Sequence, residues 1–156
     1  RHPREVAQSL ARRDLLPESQ MIPNWLHYML EAERLTRGLN RAVIFYDDLL
    51  TDWRRCMLQA GRIARIAWPR PILPMERDID DFLAPSARHH VEPQATAVIG
   101  PPPVCDMVNA AWIALRRLSD DPASSDTLKS LDHARESFAR WRRQTYPPRA
   151  PNAAQA

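Results

Sequence analysis

The stretch RAVIFYDDLL, residues 41–50, decides how the whole chain is read. Val43, Ile44, Phe45 and Tyr46 form a compact β-branched and aromatic run bounded by polar residues, the composition of a buried strand. No other segment has that character. A buried strand needs hydrogen-bonding neighbours on both sides. The run therefore implies a sheet completed by a partner chain, or by strands preceding Arg1 in an α/β protein of which this chain is the carboxyl-terminal part. The second is the expected arrangement: a helix-rich α/β chain retaining one clear strand.

On either side of that run the period of the apolar residues changes to 3.6. Upstream, residues 19–38 carry Ile22, Trp25, Leu26, Met29, Leu30 and Glu33 at helical spacing and stop at Gly38, suited to a left-handed cap. Residues 4–13 place Val6, Ala7, Leu10 and Ala11 on one helical face, and Pro3 sits where a missing amide hydrogen costs nothing. Downstream, Asp52 can cap a helix over 53–66 with Met57, Leu58 and Ile63 inward. WPRPILP, 68–74, forces an extended connector before a short helix at 76–83. APSARHH, 84–90, reads as a loop and EPQATAVIGPPP, 92–103, as a spacer.

Two amphipathic helices follow at 104–118 and 125–146, the first with Val108, Ala111, Trp112 and Leu115 on one face and both expected on the outer side of the sheet. The organisation expected is a partial domain over 1–95, a helical extension over 96–146 and a disordered tail over 147–156.

Composition sets the broad class. With 156 residues, 44% hydrophobic and 26% charged, the chain can bury a core and is not disordered throughout. The net charge is +3, and every basic residue except Lys129 is arginine, a side chain suited to phosphate and carboxylate. Charges of both signs are interspersed, so the balance points only weakly to nucleic acid. Cys56 and Cys105 form no CxxC pair and read as buried thiols of a reducing compartment, with cytoplasm the default location. No apolar run approaches the roughly 18 residues of a membrane helix. The absence of an initiator methionine suggests a processed or truncated piece. His89 and His90 are adjacent and lack further ligands at zinc spacing, so no metal is expected.

The amino-terminal stretch RHPREVAQSLARR, residues 1–13, carries the chemistry. If Arg1 ends a strand and Pro3 opens a helix, a guanidinium stands beside free backbone N–H groups and the positive end of a helix dipole, an anion cradle. Ser9 lies about 9 Å along that helix at 1.5 Å per residue, where its hydroxyl can meet the same ligand.

This stretch resembles the 3′-phosphate-binding motif of sulfotransferases, including bacterial sulfotransferase-like domains, that use 3′-phosphoadenosine 5′-phosphosulfate (PAPS). In that family an arginine at a strand end is followed eight residues later by a serine, as Arg1 is by Ser9. The stretch from Asn24 to Pro69 is similar to the helix, strand and "YEDL"-type turn that follow in the same family. The resemblance implies a P-loop-type α/β fold, PAPS as cosubstrate and an unidentified hydroxyl or amine acceptor. It gives Arg1 and Ser9 the 3′-phosphate, Tyr46 the adenine, and Arg88 a place in a loop closing over the phosphate. At that loop the chain departs from the family, offering Arg88, His89 and His90 where cytosolic members carry an arginine, lysine, glycine run.

Gly38, Gly61 and Gly100 belong to no phosphate loop, and none of His2, His27, His89, His90 or His133 falls at the family's catalytic base. A nucleotide half site without the transfer machinery, inactive alone, is the expected result. The rival reading is a helical interaction or nucleic-acid-binding module. It would use Arg135, Arg140, Arg142 and Arg143 beside Trp141 and Tyr146.

Overall fold

In the computed structural model, which describes residues 1–69, 73–83, 98 and 100–147, all regular structure among the described residues is helical. The first helix, α1, spans Pro3–Asp14 with Pro3 in its opening turn. His2 caps it, its Nδ1 accepting from the Arg4 amide at 3.3 Å. Leu15 then closes it in the left-handed conformation, φ 54°. A short link leads to α2, Glu18–Thr36. Arg4 and Glu18, 3.6 Å apart, join the two helices near their start.

The fold class expected from residues 43–46 is overturned at this point. Residues 40–45 have no regular structure, ending on an extended Phe45; among the described residues they pair with no strand, and Tyr46–Thr51 is a helix, α3. The chain is all-helical where described, not α/β. β-branched and aromatic side chains favour extended backbone and a half-buried surface, yet they cannot supply neighbouring backbone. Here the segment lies on helices instead, with Phe45 buried and Ile44 42% exposed. Asp47 and Asp48 turn the chain helical at Tyr46, because carboxylates favour the positive end of a helix.

Asp52 caps α4, Trp53–Ala64, as its position suggested: its Oδ1 accepts from the Arg55 amide at 3.0 Å. The buried stripe of α4 is Trp53, Cys56, Ala60 and Ala64. The expected inward set is thus rotated, with Met57 and Ile63 half-buried and Leu58 66% exposed. Small Ala60 and Ala64 suit close approach of α4 to its neighbours, which the larger side chains of the other face would prevent. A 3₁₀ turn at Leu73–Met75 precedes α5, Glu76–Phe82, which α4 holds through Trp53 Nε1, 2.8 Å from Asp80 Oδ1.

The core is built by α1 and α2 together with α6, Pro102–Asp120, and α7, Ser125–Thr145. Ile22, Leu26, Val104, Val108, Leu118 and Leu131 are the largest fully buried aliphatic side chains. Each stabilises the fold by about 1.5–3 kcal/mol relative to exposure. One buried cluster runs from Ala7 to Phe138, so α6 and α7 form the centre with α2 rather than covering a sheet. Val108, Ala111 and Leu115 occupy the expected inward face of α6, with Trp112 half-buried at its edge.

The end of α2 differs from expectation too. Gly38 is not left-handed; α2 closes on Arg37 in the right-handed region, and among the described residues the left-handed ones are Leu15 and Arg65. The Arg37 side chain reaches back to Glu33 at 2.6 Å and across to Asp132 of α7 at 2.9 Å. Cys56 is buried and Cys105 half-buried, both free thiols, and burial raises the pKa of each. No helix among the described residues is long and apolar enough to cross a membrane.

Candidate functional site

Of the four residues expected to bind nucleotide, the fold brings two together. The guanidinium carbon of Arg1 lies 4.1 Å from the centre of the Tyr46 ring, a cation over an aromatic face. Their meeting follows from the local structure: Arg1 precedes His2, the cap of α1, and α3 begins at Tyr46, so two helix starts adjoin. Ser9 is exposed two turns into α1, and no contact in the structure joins it to Arg1 or Tyr46. Arg88, with His89 and His90, lies outside the described residues.

A second guanidinium borders this pair. Arg116 of α6 stands 4.2 Å from the Phe45 ring centre and 5.4 Å from that of Trp112, and its Nη1 binds the Asp48 carboxylate. Phe45 meets Trp112 edge-on at 4.9 Å, and the His2 ring meets the same indole edge-on at 5.2 Å. Arg1 thus lies on Tyr46, while His2, Phe45, Trp112 and Arg116 form one connected set of ring and cation contacts beside it.

Asp48 is consumed by Arg116, in keeping with a structural rather than chemical role for the paired aspartates. Arg116 was not singled out in the sequence, although its i, i+4 relation to Trp112 places both on one side of a helix.

The helix start is less open than the bare spacing implied. His2 takes the Arg4 amide, Pro3 has no amide hydrogen, and Glu5 is buried in the first turn. Burial lowers the His2 pKa below its ordinary value, while Glu5 and Asp47 act in the opposite direction. An anion would therefore be held by the Arg1 side chain more than by the backbone of α1. The face of Tyr46 suits a planar ligand or a stacked guanidinium.

Two of the arginines of α7 have partners on that helix. Arg135 pairs with Asp132 at 2.9 Å, Arg140 binds Ser137 at 3.0 Å, and Trp141 stacks on Phe138 at 5.6 Å. Among the described residues there is no group of three or more His, Cys, Asp or Glu side chains placed to hold a metal. No protein-family model matches this chain, and neither does any curated protein or solved structure.

Proposed function

We propose that this chain supplies the adenine and 3′-phosphate half of a PAPS site in a sulfotransferase. Arg1 is assigned the 3′-phosphate, Ser9 a second contact to it, and Tyr46 the adenine. Supporting this reading is the convergence of Arg1 and Tyr46, 45 positions apart in the chain, at 4.1 Å. A guanidinium can lie on an aromatic ring while its edge donors engage a phosphate, because its charge and its hydrogen bonds point in different directions. Arg116 adds positive charge on the same surface, offset by Asp48.

The assignment concerns binding. When bound, PAPS would supply the sulfonyl group for an acceptor hydroxyl or amine; the residues named here hold and orient the nucleotide and take no part in bond making. The free thiols Cys56 and Cys105 favour a reducing, cytoplasmic setting.

Thermal stability with adenosine 3′,5′-bisphosphate tests the proposal. Stabilisation of about 2.7 kcal/mol is expected at a hundred times the dissociation constant. Adenosine 5′-monophosphate, lacking the 3′-phosphate, should stabilise much less. Arg1→Ala and Ser9→Ala should each weaken the effect; an unaltered response in both variants places the ligand elsewhere, and no response to the bisphosphate refutes the reading.

A further inference from the structure

From the cleft where α2 meets the end of α7, we infer a second binding site, for a small planar aromatic molecule bearing one negative charge. This cleft encloses about 440 Å³ and is lined by Met21, Asn24 and His27 of α2 and by Phe138, Trp141 and Arg142 of α7. Its size falls in the range of small-molecule pockets, roughly 300–1,000 Å³. Leu16 and Tyr146 border it as well. Leu16 follows α1, so the cleft adjoins the end of that helix, about 18 Å along its axis from Pro3.

The aromatic part of the ligand is selected by a corner of rings. Trp141 stacks on Phe138 with planes 16° apart, which fixes the indole against the core. Tyr146 stands nearly perpendicular to that indole, at 84° and 5.9 Å between centres, and is 66% exposed. Phe138, Trp141 and Tyr146 thus bring three rings to one cleft, a lining suited to a flat aromatic ligand. Tyr146 is the first residue beyond α7, so its ring stands where the helix ends.

The charge is selected by Arg142. Its Nη1 lies 3.5 Å from His27 Nδ1, and among the described residues it meets no carboxylate. By contrast Arg34, Arg37, Arg41, Arg54, Arg116 and Arg135 each hold one. A guanidinium at an aromatic cleft, beside a ring nitrogen and with no acid to neutralise it, favours an anionic group on the ligand. Asn24 and Gln20 add neutral amides at the rim but no negative charge. On the same helix, Arg135 pairs with Asp132 and Arg140 binds Ser137.

Isothermal titration of the full chain with 2-naphthoate tests the assignment, with 2-naphthamide as the uncharged analogue and cyclohexanecarboxylate as the non-aromatic one. Naphthoate should bind more tightly than either. Arg142→Gln should weaken naphthoate by about tenfold, the effect of losing one charge-assisted pair, and leave the amide unchanged. Tyr146→Ala should weaken both aromatic ligands. Both substitutions are at exposed positions, and unchanged circular dichroism would confirm that the fold is intact. Equal binding of naphthoate and its amide, an undiminished affinity in Arg142→Gln, or no binding of naphthoate overturns the proposal. So does displacement of naphthoate by a dT₁₀ oligonucleotide, which would give the surface to nucleic acid, or by adenosine 3′,5′-bisphosphate, which would merge it with the Arg1 and Tyr46 site.

Discussion

Arg41 reaches back eight residues to place its Nη2 2.7 Å from Oε1 of Glu33, a residue only 5% exposed. Arg37 binds the same carboxylate through Nε at 2.9 Å and Nη2 at 2.6 Å, then reaches Asp132 of α7. Arg135 completes the group at 2.9 Å from Asp132. The chain leaving α2 is fastened to α7 in this way, and the direction of the extended segment that follows is set. Removing the central acid leaves two guanidinium groups short of their counter-charge, which is costlier than losing an exposed pair. Glu33→Gln should therefore destabilise the protein by about 2–3 kcal/mol, read from urea unfolding. Asp126→Asn, which loses an exposed pair with Lys129 and a first-turn carboxylate of α7, should cost less, about 0.5–1 kcal/mol.

Acid should act on this fold in two separate steps. Burial pushes the Glu33 carboxyl up, but hydrogen bonds from Arg37 and Arg41 outweigh it and hold the pKa below 4.5. Asp132 is likewise held below 3.8, chiefly by its hydrogen bond to Arg37. Carboxyls depressed in the folded state contribute stability that is present above their unfolded values and lost as pH falls through the folded ones. His2 acts earlier. Burial lowers its pKa from 6.5, so between that value and the folded one the unfolded chain binds more protons, and stability falls with falling pH. Melting temperature should decline as pH falls to about 6.5 and below, where His2 adds to the amino-terminal amine whose pKa burial lowers from 8.0, and decline again below about pH 4.5. His2→Asn, which can still cap α1, should reduce the first decline and keep the second. A first decline of the same size in that variant would assign it to another group.

Among the described residues, glycine is absent from the two positions where backbone geometry favours it. Leu15 and Arg65 have φ of 54° and 55°, each closing a helix in the left-handed region. A side chain there costs about 1 kcal/mol. Arg65 is exposed and Leu15 is 89% exposed, so little packing is lost on replacement. Arg65→Gly and Leu15→Gly should each raise stability by about 0.5–1 kcal/mol.

At Gly61 the reverse holds. A Cβ there would fall 2.9 Å from Trp68 Nε1 and 3.3 Å from the Ile66 carbonyl oxygen. Gly61→Ala should lower the melting temperature and shift the Trp68 indole resonance, despite alanine's better helix propensity.

The helices were legible because periodicity and capping agreed: Pro3, Asp52 and the apolar face of α6 all stand as the pattern required. The run at 43–46 misled because composition reports local backbone preference and burial but not the presence of a neighbouring strand. Tyr46 could be placed near Arg1 only through the family resemblance; nothing in the spacing links residues 45 positions apart. The Glu33 network was hidden for a similar reason. Glu33 matched the inward face of a helix, and only tertiary structure reveals the arginines that make its burial tolerable.

Arg116 combines two interactions that substitution can separate. Its guanidinium binds Asp48 through Nη1 and lies over both Phe45 and Trp112. The ion pair is partly solvated, with side-chain exposures of 30% and 35%, so solvent screens much of it. Asp48→Asn should cost about 0.5 kcal/mol, the worth of such a pair. Arg116→Ala loses the ion pair, the cation–π contacts and the cover its aliphatic stem gives the rings, and should cost about 1–2 kcal/mol. Arg116→Met keeps much of the cover without the charge and should fall between them. If Asp48→Asn proves as costly as Arg116→Ala, and the double variant no worse than either, then the carboxylate rather than the aromatic stack holds the extended segment onto α6.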